Sequence, residues 1–308
     1  MVLRVGIIYD LHARFSTPSM RTDNYFESCM SKLEYILQRI DIGIHLGDFF
    51  EKARTEDVVK NRILEILNRY DKKLYTVLGN HDFERDVLET LPNTSLGNLL
   101  YHKQMTLLTP DRVWEIAGLK VGVLDYFIEN AKKQSFDDID IVVGHHAYEW
   151  GRDPSKGIEE ADIKRYNAKY AFFGHDHQPY DPKVVGKTTI YRCGSTMRTD
   201  AQAYTPTHIP SFIILEVDEK KGKILGEPKI VPIECALPYE ECFRVDQKRT
   251  FKKLARVMSD VKNLLDKMEL DKTTNRLTIG TILKERLKAP DDIYNYLELV
   301  YRMNHLEF

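Results

Sequence analysis

One recurring junction constrains this chain more than any other feature. Five short apolar runs each end in a residue that can ligate a metal. Val5-Gly6-Ile7-Ile8-Tyr9 runs into Asp10-Leu11-His12, and Ile42-Gly43-Ile44-His45-Leu46 runs into Gly47-Asp48. Leu74-Tyr75-Thr76-Val77-Leu78 leads into Gly79-Asn80-His81-Asp82. Ile139-Asp140-Ile141-Val142-Val143 leads into Gly144-His145-His146, and Tyr170-Ala171-Phe172-Phe173 into Gly174-His175-Asp176-His177. Apolar runs this short read as strands. Stripes of helical period lie between them: Tyr25, Phe26, Cys29, Met30, Leu33, Ile36, Leu37 and Ile40 after Thr22-Asp23, then Val59, Ile63, Ile66, Leu67 and Tyr70 after Thr55-Glu56-Asp57. Strand alternating with helix is the order of an α/β layered fold. Ligands at successive strand ends predict a site along one edge of a sheet.

After Tyr101 the pattern changes. Val113 to Ile116, Ala117 to Lys120 and Val121 to Leu124 read as a hairpin, with further strands at Thr188–Arg192 and Ser211–Val217. A second, β-rich sheet would complete a sandwich with helices on its outer faces. Composition shifts near residue 233. Helical patterns follow over 247–268, 279–287 and 292–303, which predicts a catalytic domain over 1–232 and a small helical module over 233–308. The length of 308 residues suits one large domain plus an appendage. A net charge of −2 exerts no global pull on nucleic acid. The N-terminus enters the first strand directly, without a secretory leader pattern. No apolar run approaches bilayer length. Cys29, Cys193, Cys235 and Cys242 lack paired zinc spacing and read as reduced thiols. The expectation is a cytoplasmic protein with no membrane association.

The ligand types narrow the chemistry. In an extended segment, Asp10 and His12 would point the same way, and so would His175 and His177. Glycines before Asp48, Asn80, His145 and His175 allow the tight strand exit that a clustered site requires. Carboxylate, amide oxygen and imidazole together suit Mn, Fe, Zn or Co rather than a thiolate-bound structural zinc. Seven ligands are too many for one ion and about right for two. Two ions about 3.5–4 Å apart need a bridging carboxylate, for which Asp48 is the natural candidate, and they activate a bridging water toward phosphorus. His45, His102, His208 and His305 lie outside the junction ends and read as packed residues.

These five junctions, in this order over residues 5–177, resemble the five motifs of the calcineurin-like metallophosphoesterases. The resemblance implies a four-layer αββα sandwich and a dinuclear site. One divalent metal would be held by Asp10, His12, Asp48 and His177, and the other by Asp48, Asn80, His145 and His175. Mn is the first expectation, with Mg, Co, Fe or Zn as alternatives. His81 would protonate the leaving alkoxide or stabilise phosphoryl charge, and Asp82 would orient His81. His145 and His146 are adjacent. His145 directly follows the strand and its glycine and is taken as the ligand, with His146 turned to the other side near the substrate.

Two further stretches point to a branch. Arg21-Thr22-Asp23, opening the first helix, and Gly194-Ser195-Thr196-Met197-Arg198 resemble segments of SbcD and Mre-type DNA repair nucleases, with Arg198 a substrate-binding candidate. There is one departure: those nucleases commonly carry His three residues after the bridging Asp, where this chain has Glu51. Between Arg244 and Lys262, seven basic residues stand against two acidic ones. The stripe Phe251, Leu254, Val257, Met258, Val261 and Leu265 would suit docking on an SMC-like ATPase. The expected function is therefore a DNA nuclease acting on single- or double-stranded ends, with an SMC-like ATPase or a homodimer as assembly. The alternatives are a small-molecule or nucleotide phosphodiesterase or phosphatase, and a non-catalytic scaffold for an ATPase.

Overall fold

The strand and helix patterns take physical form in the computed structural model, which describes residues 1–85, 87–148, 157–202 and 204–244. In chain order the first elements are β1 (Val2–Ile8), α1 (Tyr25–Leu37), β2 (Ile42–His45), α2 (Asp57–Tyr70) and β3 (Lys73–Thr76). Then come α3 (Ser95–Tyr101), β4 (Thr106–Leu107), β5 (Trp114–Ile116), β6 (Leu119–Val123), α4 (Ile128–Ala131), β7 (Ile139–Gly144) and α5 (Glu160–Tyr166). The last are β8 (Ala168–Phe173), β9 (Tyr180–Val185), β10 (Thr188–Arg192), β11 (Ser211–Asp218), β12 (Lys223–Ile224), β13 (Lys229–Pro232) and α6 (Tyr239–Cys242).

Local chemistry sets the boundaries. Helix α1 begins after Asn24, whose side chain accepts from Glu27 N at 3.2 Å. The helix expected to begin at Thr22-Asp23 starts two residues later, and the Asp23 carboxylate is engaged by the Arg21 guanidinium. A side-chain oxygen on the helix N-terminus satisfies an amide that has no intrahelical partner. The hairpin of β5 and β6 turns through Ala117 and Gly118, both at positive φ. That two-residue geometry matches the natural twist of antiparallel strands.

Two mixed sheets result. The first runs β12-β11-β1-β2-β3-β4, with β13 also paired to β11, and the second runs β5-β6-β7-β8-β10-β9. The late strand β11 inserts antiparallel beside β1 instead of joining a separate β-rich sheet. Val5, Ile7, Ile44, Val121, Ile141 and Phe172 share the core between the sheets. The apolar faces of α1 and α2 pack on the outer side of the first sheet, and α4 and α5 on the outer side of the second. The order is helix, sheet, sheet, helix. Consequently the five junctions do not share one sheet edge. Three lie on β1, β2 and β3 of the first sheet and two on β7 and β8 of the second.

The chain divides into two compact units, Met1–Phe243 and Arg244–Phe308. In the first, Ile233 joins the core beneath α1, and Tyr239 stacks on Phe243 with ring centroids 4.9 Å apart. The helical patterns over 247–303, the basic stretch beyond Arg244 and His305 lie outside the described residues. Among the described residues, no helix is long and apolar enough to cross a membrane.

Candidate metal centre

All seven ligand candidates converge where the two sheets meet. Asp10 follows β1 and is fully buried. Its Oδ1 accepts from His175 N at 2.8 Å, while its Oδ2 is buried without a hydrogen-bond partner. A carboxylate oxygen stripped of water and left unpartnered is costly unless a cation sits against it. His12 is not in extended backbone: it has φ 48°, and its N–H donates to Asp48 O at 3.0 Å. His175 likewise has φ 81°, and Asp48 has φ 55°. Left-handed backbone is unfavourable for side-chain-bearing residues and persists where surrounding structure enforces it. The Asp10–His12 and His175–His177 pairs are therefore aimed by sharp backbone turns and not by strand alternation.

The donors form two lobes sharing Asp48. In the first, His12 Nε2 faces His177 Nε2 at 2.9 Å, with Asp48 Oδ2 at 3.8 Å from His12 and Asp10 Oδ1 at 4.0 Å from His177. His12 Nδ1 lies 3.1 Å from Glu51 Oε2, an ion-pair contact on the side of the ring away from the centre, and Nε2 faces the centre. In the second lobe, His145 Nδ1 donates to Leu46 O at 2.7 Å, which frees its Nε2. That Nε2 lies 3.2 Å from Asn80 Oδ1 and 3.3 Å from Asp48 Oδ2. His175 Nδ1 is 3.0 Å from the same Asn80 oxygen.

Electrostatics agree with the geometry. Burial works against ionisation of Asp48, but His145, His12 and His81 hold its carboxyl well below the usual range. Burial opposes charge on His145, yet Asp48 and Asp10 push it up to about 10. Burial likewise opposes charge on His12, where Glu51, Asp48 and Asp10 raise the pKa overall. The pocket thus stabilises positive charge at its centre. The glycines complete it. A Cβ on Gly79 would collide with Asp48 Oδ1 and N, and one on Gly174 would lie 2.9 Å from His145 Nδ1. The donor set, the unpartnered Asp10 oxygen and these close approaches fit two divalent ions.

His81 stands at the rim with its side chain 35% exposed, Nε2 3.9 Å from Asp48 Oδ2. Its Nδ1 donates to Glu51 O at 2.6 Å. Asp82 does not perform the orienting role expected of it. Its buried carboxylate accepts from Gly79 N at 2.8 Å, Asp48 N at 3.0 Å and Phe49 N at 3.3 Å, tying two ligand loops together. Burial and the neighbouring Asp48 raise its pKa to about 7. Adjacent positions in sequence suggested contact with His81, but the backbone turn sends the two side chains apart.

His146 faces away from the donors, and its Nε2 donates to Asp125 O at 2.7 Å. It still lines a cleft of ≈ 400 Å³ with Asn80, Tyr126, Phe127, His145 and His175. Arg198 is buried and donates to Leu237 O at 2.6 Å, so it braces the 233–243 segment instead of reaching open solvent near substrate. His45 is buried against Phe49, and His208 is buried with Nε2 donating to Ser195 O at 2.7 Å. His102 is exposed at the end of α3, contrary to expectation.

Two supports escaped sequence reading. Thr196 N donates to Asp10 O at 3.2 Å, and its Oγ1 donates to Tyr9 O at 2.5 Å, so the Gly194–Arg198 turn props the first ligand loop. Glu51 touches both His12 and His81, a double role that only its departure from the nuclease pattern hinted at.

A family model described as calcineurin-like phosphoesterase matches residues 3–179. No curated protein matches. Among solved structures, the chain is similar to the crystal structure of TT1561 of Thermus thermophilus. Identity is 11%, the TM-score is 0.44, and the match covers 76% of this chain and all of that one.

Proposed function

Given that the chain belongs to the calcineurin-like phosphoesterase family, we propose that it is a two-metal phosphodiesterase whose substrate is a DNA phosphodiester. The observation that supports hydrolysis at phosphorus is the shared Asp48, with Asn80, His145 and His175 on one side, Asp10, His12 and His177 on the other, and His81 beside it. Ions held there would supply a nucleophilic water at neutral pH and neutralise charge at phosphorus. His81, held through Nδ1 by Glu51 O, keeps Nε2 facing the shared Asp48. As an imidazolium, with its second proton on Nε2, the ring would pass that proton to the leaving oxygen and return to the neutral Nδ1–H form, a contribution of roughly 10²–10⁴-fold. Asp82 keeps the Asp48 and Gly79 backbone in register.

Diester specificity is supported by the walls. Tyr126, Phe127 and Ile128 line the cleft beside Asn80 and offer an apolar surface for an organic arm. A monoester dianion calls for added positive charge, whereas a diester monoanion brings one charge and two organic arms. The choice of DNA rests on the likeness at Arg21–Phe26 and Gly194–Arg198. These stretches meet, Arg21 Nη1 donating to Arg198 O at 2.5 Å. A second reading, a nucleotide or small-molecule phosphodiesterase, is favoured by Asp200 in the wall beside His177, which would repel a neighbouring phosphate. Activity on bis-p-nitrophenyl phosphate against p-nitrophenyl phosphate tests the diester reading. Cleavage of labelled single- and double-stranded DNA, with Mn, Mg, Co or Zn, then separates polymer from small substrate. Activity on the monoester alone overturns both.

A further inference from the structure

Glu51 occupies a position no ligand assignment uses, yet it touches both halves of the chemistry. Its Oε2 lies 3.1 Å from His12 Nδ1, and its Oε1 accepts from Arg14 Nη1 at 3.1 Å. Its backbone carbonyl accepts from His81 Nδ1 at 2.6 Å. Its own N–H donates to Ala13 O at 3.1 Å, which locks the residue against the loop that carries His12. The His12 and His81 rings meet edge to face, with centroids 4.9 Å apart. The carboxylate at this position is held by Arg14 through one oxygen and sets the other within ion-pair reach of His12.

We propose that Glu51 is a positioning residue that aligns a metal ligand through its side chain and the proton-donating imidazole through its backbone. The inference rests on the two-metal reading of the site. A carboxylate on the far nitrogen of a ligating histidine fixes the tautomer and ring orientation and raises the basicity of the nitrogen facing the ion. Arg14 selects which carboxylate oxygen is left for His12. The second lobe has no such device: His145 is fixed by the Leu46 carbonyl. The effect of Glu51 is therefore confined to one ion. The hold on His81 belongs to the backbone and survives any substitution at position 51.

The test is Mn²⁺ titration of the full chain by calorimetry, with metal content checked by elemental analysis, for the wild type, Glu51→Ala, Glu51→Gln and Arg14→Ala. Two ions are expected in the wild type. In Glu51→Ala one of the two affinities falls about 10–100-fold, the usual cost of losing such a partner, and the other stays put. Glu51→Gln, which retains an acceptor without the charge, falls between, and Arg14→Ala shifts the same affinity less. Metal-free thermal unfolding stays near wild type in all of them. At saturating Mn²⁺ the turnover of bis-p-nitrophenyl phosphate returns, because His81 is still held. Unchanged affinities in Glu51→Ala, or a fall in both together with lost metal-free stability, overturn the proposal. A wild type that takes up no metal overturns the two-metal reading and this inference with it.

Discussion

The two lobes of the centre use the same ligand chemistry but are supported differently. The lobe of His12 and His177 leans on side chains, with Glu51 on one ring and Thr199 Oγ1 3.4 Å from the other. The lobe of His145 and His175 leans on backbone, with Leu46 O behind the first ring. Side-chain supports can be altered by single substitutions, and backbone supports are built into strand ends. The supports of the first lobe can therefore change by single substitutions, whereas the support behind His145 changes only with the fold. Asp48 and the Asp82 tether are the parts both lobes need.

The largest effect is expected from Asp48→Asn. Both lobes should lose metal together and turnover should drop on the order of 10³-fold or more, since metal-ion stabilisation of charge is worth several kcal/mol. Elemental analysis and diesterase rates check it, and loss from only one lobe would contradict the shared role. Next, His81→Ala should cost roughly 10²–10⁴-fold in kcat while both ions remain bound. Full activity in that variant would remove His81 from the chemistry.

Smaller effects sharpen the picture. Phe127 is 43% exposed in the cleft beside Asn80 and forms part of an edge-to-face series with Tyr126 and Phe83. If a nucleobase rests there, Phe127→Ala should lower kcat/KM on a dinucleotide about tenfold and leave dimethyl phosphate-type esters unaffected. Equal losses on both would remove the stacking role.

The smallest effect on catalysis is expected behind the first lobe. Lys32 is buried, with Nζ donating to Thr196 O at 3.3 Å. Burial, with Arg21 and Arg198 nearby, pushes its pKa down to about 7 from an ordinary 10.5. The folded state thus resists its protonation. The resulting instability is fully present below about pH 7 and fades as pH rises toward 10.5, where the unfolded chain also loses the proton. Lys32→Met should raise unfolding free energy by about 2–4 kcal/mol at pH 6–7, with the gain shrinking toward pH 10. Chemical denaturation across that range measures it. A gain independent of pH would mean packing rather than charge, and metal stoichiometry should not change.

Much of this was legible in the chain. The helical stripe emerged in α1 from Tyr25 to Leu37, and the hairpin formed with a tighter turn than expected, at Ala117-Gly118, with Leu119 and Lys120 drawn into β6. The seven ligand candidates met in space. Three other points were not legible. His12 and His175 reach the centre through left-handed backbone that no periodicity encodes. Asp82 follows His81 directly but bonds the amides of Gly79, Asp48 and Phe49, because the turn after Gly79 directs it inward. Arg198 looks like a phosphate-binding residue in a polar turn, yet the 233–243 segment covers it.

The order of residues along the chain marks which positions could ligate metal, puts them at strand ends, and supplies the mixed oxygen and nitrogen chemistry that suits two ions. Those properties are local, set by residue type and by apolar runs of strand length. Packing brings three junctions from one sheet and two from the other, and it turns His145 into the centre and His146 toward Asp125. It also decided that Glu51 grips both His12 and His81. Those outcomes depend on strand order and on which buried polar groups find partners, and both are settled when distant segments pack together.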